Sequence, residues 1–511
     1  MSKFNSAKVS STATTNLAGG SAYKESAKLE LASLLVTSFL SGDKAYEKEA
    51  DTIKRLEKLY EKMNTEDKKF FAQAAIYARD KFRLRSISHL CASLIGEGIS
   101  TGNYDKEDKA WIANFFSKVV MRGDDITEII SAYKSRPNCY KSKKGRIQIP
   151  EAMKSGLSKA LGRMDEYQLA KYRGSNKETS LIDAVRMLHA KATDKNRTGL
   201  EKLVKGTLRS TETWEAKQSA AGQVAADVTD KEEKAKAVAQ AQSEAWEDFV
   251  NKGDKIEYMA LLRNLRNIEE KASEETFKKA LSIIRDPKKV LSSKQLPFRF
   301  LTAMKQMGHS RAAVSALSDA LEISVSNCPE LPGKTAILVD ISGSMSTKCS
   351  SVGCASVSEV AGIFAASLYK KNEDAEIVLF GSKGWYLKAN PKDSIETIAE
   401  DCHCRNAWTC MGAGFGILNR AYDRIIVLSD MQSWVDPQYA KDTKDAFRKY
   451  AKKYNPDVKL YSFDLAGMGT LQFPERNVFT IAGLSEHVFD IMAKMEEDKQ
   501  YMIHEIEAIE L

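Results

Sequence analysis

The chain is poor in proline, cysteine and histidine, with 10, 8 and 6 of these residues among 511. So little proline argues against collagen-like and proline-rich disordered proteins. Eight irregularly spaced cysteines do not form a disulfide framework in a chain of this size, so we expect reduced thiols. No run of 18 apolar residues is present, and the N-terminus lacks the apolar core of a signal peptide. These absences predict a cytoplasmic protein without membrane association.

Charged residues are abundant but unevenly distributed. Residues 1–330 carry 57 basic and 44 acidic side chains, a net charge of +13, whereas residues 331–511 carry 20 and 25, a net charge of −5. A basic region of this kind can bind a polyanion such as a nucleic acid. A solvated helical surface crossed by salt bridges is the alternative, and composition alone leaves both open.

The first three-fifths of the chain has a helical pattern. Residues 1–20 are small and polar, which predicts a flexible N-terminal arm. In residues 21–326, apolar positions recur at spacings of three and four, as in amphipathic helices. Short polar turns, such as residues 135–150 and 96–103, separate these helices. One-sided helices joined by turns predict a stack of degenerate helical repeats, an α-solenoid.

A different pattern begins after Pro332. Four short apolar segments predict buried strands: residues 335–340, 375–380, 424–429 and 458–463. Helical segments lie between them. Alternation of buried strands with helices predicts a doubly wound parallel sheet, a Rossmann-like α/β domain, in residues 333–511. In such a domain a ligand binds at the carboxyl ends of the strands.

Oxygen-bearing side chains follow two of these predicted strands. Asp340, Ser342 and Ser344 form a DxSxS motif after the first, Thr409 lies in a later loop, and Asp430 follows the third strand. Carboxylate and hydroxyl ligands without histidine or thiolate favour Mg²⁺, with Mn²⁺ or Ca²⁺ as alternatives. Helix capping by the serines is the competing interpretation. The order of strand, motif, threonine loop and strand-terminal aspartate favours a metal site.

Cysteines lie close to this motif in the sequence: Cys349, Cys354, Cys402, Cys404 and Cys410, with His403 among them. If their loops met, four of these side chains could form a tetrahedral zinc site. However, no CxxC pair is present. Free thiols are therefore the favoured interpretation.

Basic residues cluster in the helical region. They are Arg79, Lys81, Arg83 and Arg85; Lys141, Lys143, Lys144 and Arg146; and Lys171, Arg173 and Lys177, followed by Arg186, His189 and Lys191. Arg186 and His189 are three residues apart and are expected to share a helix face. A charged helix surface, a mobile loop and a core histidine are the competing interpretations of single clusters. Taken with the net charge of +13, the clusters favour RNA binding.

The sequence resembles two known modules in a fixed order. The DxSxS motif with Thr409 and Asp430 resembles the metal-ion-dependent adhesion site of von Willebrand factor A domains. Six segments resemble successive landmarks of the TROVE module: TNLAGGSAY, AIYARDKFRLRS, VMRGDDITEIISAY, SLIDAVRMLHAK, MALLRNLRNI and LPFRFLTAM. A TROVE module followed by an A domain is the layout of the Ro autoantigen family. The chain thus resembles a bacterial or phage member of that family.

This resemblance implies a monomeric ring of HEAT-like repeats, with the A domain joining the two ends. Members of the family bind small non-coding Y RNAs on the outer surface and single-stranded 3′ ends of misfolded RNAs in the central hole. Bacterial members can be tethered to polynucleotide phosphorylase, and another exoribonuclease could take this role. Contacts with Y RNA are implied at Lys171, Arg173, His189 and Lys191. We therefore expect a ribonucleoprotein for RNA quality control rather than an enzyme.

The sequence departs from the family pattern at two places. Ala407 and Trp408 precede Thr409 where relatives have two glycines, and Ala192 replaces the proline of the His-Leu-Lys-Pro motif. Two further hypotheses stay open. One is a metal-dependent protein-interaction scaffold without direct RNA binding. The other is a Mg²⁺-dependent nuclease with His403 as base, which is disfavoured because the sequence shows no second-metal cluster.

Overall fold

A computed structural model shows that the chain divides into two compact units. One comprises residues 1–53 and 246–502, and the other comprises residues 54–245 and 503–511. The described residues are 13–16, 21–24, 26–37, 48–173, 178–209, 214–224, 230–252, 257–293, 295, 297–328, 330–348, 355–405, 407–433, 442–467, 470–473, 478–482, 492, 494 and 500–511. Within these ranges, no helix has both the length and the apolar character needed to cross a membrane.

Helices make up most of the described structure. In chain order they are α1 (Ala27–Thr37), α2 (Glu49–Glu66), α3 (Lys68–Asp80), α4 (Ser86–Ser100), α5 (Lys109–Lys118), α6 (Gly123–Lys134), α7 (Glu151–Gly162), α8 (Glu166–Lys171), α9 (Leu181–Leu188), α10 (Arg197–Val204), α11 (Trp214–Ala221), α12 (Lys231–Val250), α13 (Tyr258–Lys271), α14 (Glu274–Ile284), α15 (Pro287–Ser293), α16 (Pro297–Gln306), α17 (Arg311–Ser324), α18 (Val357–Lys371), α19 (Ile395–Asp401), α20 (Met411–Gly416), α21 (Thr443–Lys453) and α22 (Tyr501–Glu507).

The helices of the second unit pack as stacked repeats. Helix α3 packs against α5, α4 against α6, and α5 against α7, so that each helix meets the one two positions along the chain. Their apolar stripes face the core, and Ile112, Phe115 and Phe116 of α5 are buried. This packing of successive pairs is typical of helical repeat proteins. It confirms the helical-repeat part of the predicted fold class.

One predicted turn is helical instead. The sequence predicts a turn at residues 96–103, but α4 continues to Ser100. Gly96 and Gly98 are buried in this helix. A Cβ atom on Gly96 would lie 2.9 Å from the Tyr133 ring, and one on Gly98 would overlap the Tyr60 hydroxyl. The glycines therefore allow close packing of tyrosines, a role that sequence alone does not distinguish from a turn.

The first unit contains the predicted doubly wound sheet. Its strands are β3 (Thr335–Asp340), β4 (Ala375–Phe380), β5 (Gly384–Tyr386), β6 (Arg424–Ser429), β7 (Lys459–Asp464) and β9 (Val478–Ala482). Their order is β5-β4-β3-β6-β7-β9, and all pairs are parallel except β4 with β5. Three predicted strands are observed at the predicted residues, and β7 is shifted by one. Because β3 lies between β4 and β6, the strand order reverses at its carboxyl end, where ligands bind in such sheets.

A second, smaller sheet includes a strand from the predicted N-terminal arm. Strands β1 (Ala13–Thr15), β2 (Ser21–Lys24) and β8 (Thr470–Leu471) form an antiparallel sheet in the order β1-β2-β8. The prediction of a flexible arm over residues 1–20 therefore does not hold for β1, because β2 supplies the hydrogen-bond partners that a free arm lacks. Residues 1–12 and 17–20 lie outside the described residues.

The C-terminal residues pack with helices of the second unit. The side-chain amide of Gln73 donates hydrogen bonds to the carbonyl oxygens of Glu507 and Ile509 at 2.8 and 2.9 Å. The sequence-based boundaries, at 21–326 and 333–511, follow composition and periodicity. The compact units are defined instead by contacts between residues. Residues 503–511 therefore belong to the helical unit of residues 54–245, although they come after the sheet in the chain.

Candidate metal centre and nucleic-acid surface

The carboxyl ends of β3 and β6 bring Asp340 and Ser429 together. The two strands are adjacent and parallel, with Val339 opposite Leu428. The Ser429 hydroxyl donates a hydrogen bond to Oδ2 of Asp340 at 2.6 Å, and the N–H of Ser342 donates to Oδ1 at 2.9 Å. Both carboxylate oxygens of Asp340 are thus oriented by neighbours. Sequence analysis did not identify Ser429, although it stands next to Asp430.

The other predicted ligands lie at the same edge of the sheet. The hydroxyl oxygens of Ser342 and Ser344 are 3.2 Å apart. Asp430 follows β6 and is only 3% exposed. Its Oδ1 accepts a hydrogen bond from the N–H of Gln432 at 3.1 Å, and the nearby Ser344 hydroxyl lowers the pKa of the carboxyl, but Oδ2 makes no hydrogen bond of ordinary geometry among the described residues. A buried carboxylate oxygen without a donor is costly, and a cation would satisfy it.

The loop that carries Thr409 runs beside the DxSxS turn. The N–H of Gly343 donates to the carbonyl oxygen of Ala407 at 3.1 Å. Gly381, at the end of β4, makes room for this loop, because a Cβ there would lie 2.6 Å from the Ala407 Cβ. Thr409 itself is buried, while Trp408 is 75% exposed. The structure thus brings together all three segments that carry the predicted ligands.

Electrostatics at this edge favour a bound cation. Burial, together with the negative charge of Asp430, raises the pKa of Asp340 well above its usual range. Burial also raises the pKa of Asp430. A divalent ion would offset the repulsion and stabilise both carboxylates in their charged form. The donor set is made of hard oxygens, so these residues fit Mg²⁺.

The zinc alternative has no support in the described structure. Cys402 and Cys410 are buried, and the thiol of Cys404 donates to the carbonyl oxygen of Ser342 at 2.9 Å. Cys349 and Cys354 lie outside the described residues. Where the structure is described, no group of three or more His, Cys, Asp or Glu side chains could hold a metal ion. A cation at the sheet edge would therefore depend on the serine and threonine hydroxyls.

Two of the residues predicted to bind RNA serve the fold instead. Arg79 is 4% exposed, and its Nη2 lies 2.8 Å from Oδ2 of Asp125. Arg85 lies 2.8 Å from Asp124 and 3.1 Å from Asp125. The buried carboxylate of Asp125 needs cationic partners, which these guanidinium groups supply. Arg79 and Arg85 are therefore not part of the candidate RNA surface.

Seven other predicted residues expose their side chains. They are Lys141, Lys143, Lys144, Arg146, Arg186, His189 and Lys191, named the basic set below. The first four lie on a hairpin, closed by the N–H of Gln148 donating to the Tyr140 carbonyl oxygen at 2.8 Å. No member of the basic set forms an ion pair with any acidic residue in the described part of the chain. The charges of the lysines and arginines in this set are therefore available to phosphate groups.

His189 does not share a helix face with Arg186, which corrects the sequence-based expectation. Helix α9 ends at Leu188, and His189 caps it with φ 49° and ψ 44°. Histidine tolerates this left-handed conformation better than most residues. His189 therefore begins the loop that carries Lys191, instead of continuing the helix.

Lys81 and Arg83 are exposed but lie near one acidic side chain. Their terminal nitrogens lie 3.9 and 3.6 Å from the carboxylate of Asp80. Ion pairs between exposed side chains are weak, about 0–1 kcal/mol. Both residues therefore stay candidates for RNA contact.

The remaining predicted RNA-binding residues lie around α8. The Nζ of Lys171 is 5.9 Å from the ring centre of Tyr167, which is half-exposed. Arg173 donates from Nη1 to the carbonyl oxygen of Leu208 at 3.1 Å. Lys177 lies outside the described residues. A lysine beside an exposed tyrosine is typical of surfaces that bind unpaired bases.

Comparisons with known proteins agree with this architecture. The TROVE domain model matches residues 21–244 and 229–327, more than half of the chain. The fold is similar to the crystal structure of the Deinococcus radiodurans Ro (RSR) protein, with a TM-score of 0.61 and 16% identity over 92% of this chain and 100% of that one. No curated protein sequence matches this chain. The chain has a Ro-like fold. It belongs to the TROVE domain family, and this membership supports a general role in RNA binding.

Proposed function

We propose that this chain is the protein of a Ro-like ribonucleoprotein. In this proposal it binds Y-like small non-coding RNA through the basic set, with Lys81, Arg83, Lys171 and Arg173 as further contacts. The observation that carries the proposal is the exposure of seven basic side chains that form no ion pair in the described part of the chain. The lysines and arginines among them can neutralise phosphates without first breaking an ion pair. Buried, paired cations such as Arg79 cannot do so.

Single-stranded 3′ ends of misfolded RNAs would enter the central hole of the ring that the Ro resemblance implies. A cation-lined hole admits an unpaired strand because a duplex is too wide, and it needs no base-specific contact. Such a protein would select RNAs with free ends for quality control or degradation. The nuclease would be a separate partner, polynucleotide phosphorylase or another exoribonuclease.

Charge reversal on the hairpin tests the RNA surface. We expect Lys143→Glu with Lys144→Glu to weaken binding of a hairpin RNA with a single-stranded 3′ tail at least 10-fold. The slope of log affinity against log salt should fall by about 0.7 for each single-strand phosphate that the variant no longer neutralises. The melting temperature should not change, because both side chains are exposed. Fluorescence anisotropy at several salt concentrations, with thermal unfolding in parallel, measures these effects.

A matched control distinguishes an effect of the local surface on RNA affinity from an effect of the protein's net charge. Lys106→Glu with Lys109→Glu makes the same change in net charge at two exposed lysines outside the basic set. Its RNA affinity should stay close to that of the wild type. Equal weakening in both variants would argue against a defined surface. Absence of salt-dependent RNA binding by the wild type would favour the protein-scaffold hypothesis.

We further propose that the sheet edge binds Mg²⁺ through five residues: Asp340, Ser342, Ser344, Thr409 and Asp430. The burial of the Asp340 and Asp430 carboxylates at one sheet edge, with Oδ2 of Asp430 making no hydrogen bond of ordinary geometry among the described residues, supports this site. The ion would bind a carboxylate of a partner protein rather than catalyse a reaction. Trp408, exposed beside Thr409, would lie next to that partner.

Substitution of Asp340 tests the metal site. Wild-type protein should be stabilised by Mg²⁺ relative to EDTA, since a ligand that binds only the folded state raises its stability. Asp340→Ala should abolish this stabilisation in a thermal shift assay, and Ser344→Ala should reduce it. Ser346→Ala is the control, because Ser346 lies in the same turn but its hydroxyl donates to the Gly343 carbonyl. An unchanged Mg²⁺ response of Asp340→Ala would refute the assignment.

A further inference from the structure

Two buried amide side chains hold the loop that follows Asp430. Asn16, directly after β1, donates from Nδ2 to the carbonyl oxygen of Ser433 at 2.6 Å. Gln472, directly after β8, donates from Nε2 to the carbonyl oxygen of Met431 at 2.8 Å. The two side chains are 5% and 2% exposed. Because β1 and β8 both pair with β2, one small sheet presents both amides.

The loop includes a strained backbone conformation at Met431. Met431 has φ 60°, in the left-handed region that non-glycine residues disfavour. Such a residue persists where its surroundings determine its backbone. Here Gln472 bonds the Met431 carbonyl, and the N–H of Met431 donates to the Ser429 hydroxyl at 3.1 Å. The direction in which Asp430 leaves the sheet is therefore set by tertiary contacts.

The same hydrogen bonds connect this loop to the other ligand segments. The Ser429 hydroxyl, which accepts from Met431, donates in turn to Oδ2 of Asp340 at 2.6 Å. The Ser433 hydroxyl accepts from the N–H of Met411 at 3.0 Å. Met411 is two residues beyond Thr409 and begins α20. Displacement of the loop would therefore disturb Asp340 and the Thr409 segment as well as Asp430.

We propose that Asn16 and Gln472 are positioning residues of the Mg²⁺ site, and that the β1-β2-β8 sheet is a clamp that presets Asp430. This inference rests on the metal site proposed above. It makes the affinity of that site depend on a residue 417 positions away from Ser433 in the sequence. Residues that orient metal ligands without touching the ion typically contribute 10- to 100-fold in affinity.

Titration of the metal-free full-length chain with Mg²⁺ alone tests the clamp. Isothermal calorimetry should show about 10-fold weaker Mg²⁺ binding for Asn16→Ala and for Gln472→Ala. Asn16→Asp keeps the size of the side chain but removes the donor, so it should also weaken binding. The melting temperature in EDTA is recorded for each variant. A purely structural role would lower that temperature and leave the dissociation constant unchanged.

Asn372→Ala is the matched control. Asn372 belongs to the same unit, is buried, and donates from Nδ2 to the Leu368 carbonyl oxygen at 2.8 Å. Its loss should lower the melting temperature in EDTA but leave the Mg²⁺ affinity unchanged. Should Asn16→Ala fail to fold, Asn16→Ser and Gln472→Ala carry the same test.

The outcomes of these titrations distinguish the clamp proposal from the metal-site proposal. If the wild type binds Mg²⁺, Asp340→Ala does not, and the Asn16 and Gln472 variants bind like the wild type, the clamp is refuted and the site stands. If the wild type does not bind Mg²⁺, both proposals are wrong. Weaker binding in the Asn16 and Gln472 variants, with unchanged binding in Asn372→Ala, supports the clamp.

Discussion

Asp125 shows how a single buried residue determines what several basic residues do. Its carboxylate accepts hydrogen bonds from Arg79, Arg85 and His89 at 2.8, 3.1 and 3.0 Å. Burial by itself would raise the pKa of Asp125, but hydrogen bonds from His89 and Arg79, with the charge of Arg79, hold it well below its usual range. In the sequence, Arg79 and Arg85 look like part of a basic surface because their partner comes 46 and 40 residues later.

Removal of the Asp125 carboxylate should strongly reduce the stability of the fold. We expect Asp125→Ala to lower the free energy of unfolding by about 3–5 kcal/mol, because Arg79 is then buried without its partner. Urea unfolding measures the loss. Since the folded pKa lies below the unfolded one, the carboxylate stabilises the fold above about pH 4. This contribution is lost as the pH falls further, through the folded pKa. The difference between wild type and variant should therefore shrink in acid.

An exposed aspartate provides the comparison for this prediction. Asp80 lies 3.6 Å from Arg83, and both side chains are at least half-exposed. Asp80→Ala should lower the free energy of unfolding by less than about 1 kcal/mol, as is typical of surface ion pairs. Similar costs for the two variants would contradict a structural role of the Asp125 contacts.

Among the elements, α4 differs most clearly from its sequence pattern. Gly98→Ala would normally favour a helix by about 1 kcal/mol. Here the new Cβ would overlap the Tyr60 hydroxyl and lie 2.8 Å from the Tyr104 ring. Overpacking costs about 1–3 kcal/mol. We therefore expect a net loss of stability in urea unfolding.

Gly308→Ala is the comparison for this substitution. The nearest atom to a Cβ on Gly308 is 3.8 Å away, so the methyl group is accommodated. The change should be neutral, or stabilising by about 0.4–1 kcal/mol through the unfolded state. A stabilised Gly98→Ala would show that Tyr60 moves at no cost and that Gly98 is not needed for packing.

Buried strands were the elements that sequence predicted best. Residues 335–340, 375–380 and 424–429 are strands over the predicted range, since a short continuous apolar run is a local signal. The edge strand β5, over Gly384–Tyr386, and the two residues of β8 were not predicted. Short edge strands form because a neighbour offers hydrogen bonds, and their own residues carry little pattern.

On the scale of the whole molecule, net charge does not distinguish exposed basic residues from buried ones. The value of +13 for residues 1–330 includes the buried, paired Arg79 as well as the exposed lysines and arginines of the basic set. The family assignment rests on residues 21–327. The similarity to the Ro crystal structure extends over 92% of the chain, which shows a shared fold at 16% identity. Y-RNA binding and the Mg²⁺ site stay predictions that the variants above can test.

The sequence by itself determined the helical repeats, four of the six strands of the doubly wound sheet and the DxSxS motif. These are local signals, carried by residues a few positions apart. Only the tertiary structure decided which cations have acidic partners, and that Asn16 and Gln472 meet the loop after Asp430. It also grouped residues 503–511 with the helical unit. These features depend on contacts between distant parts of the chain. A short sequence pattern does not show which distant residues it will contact in the folded protein.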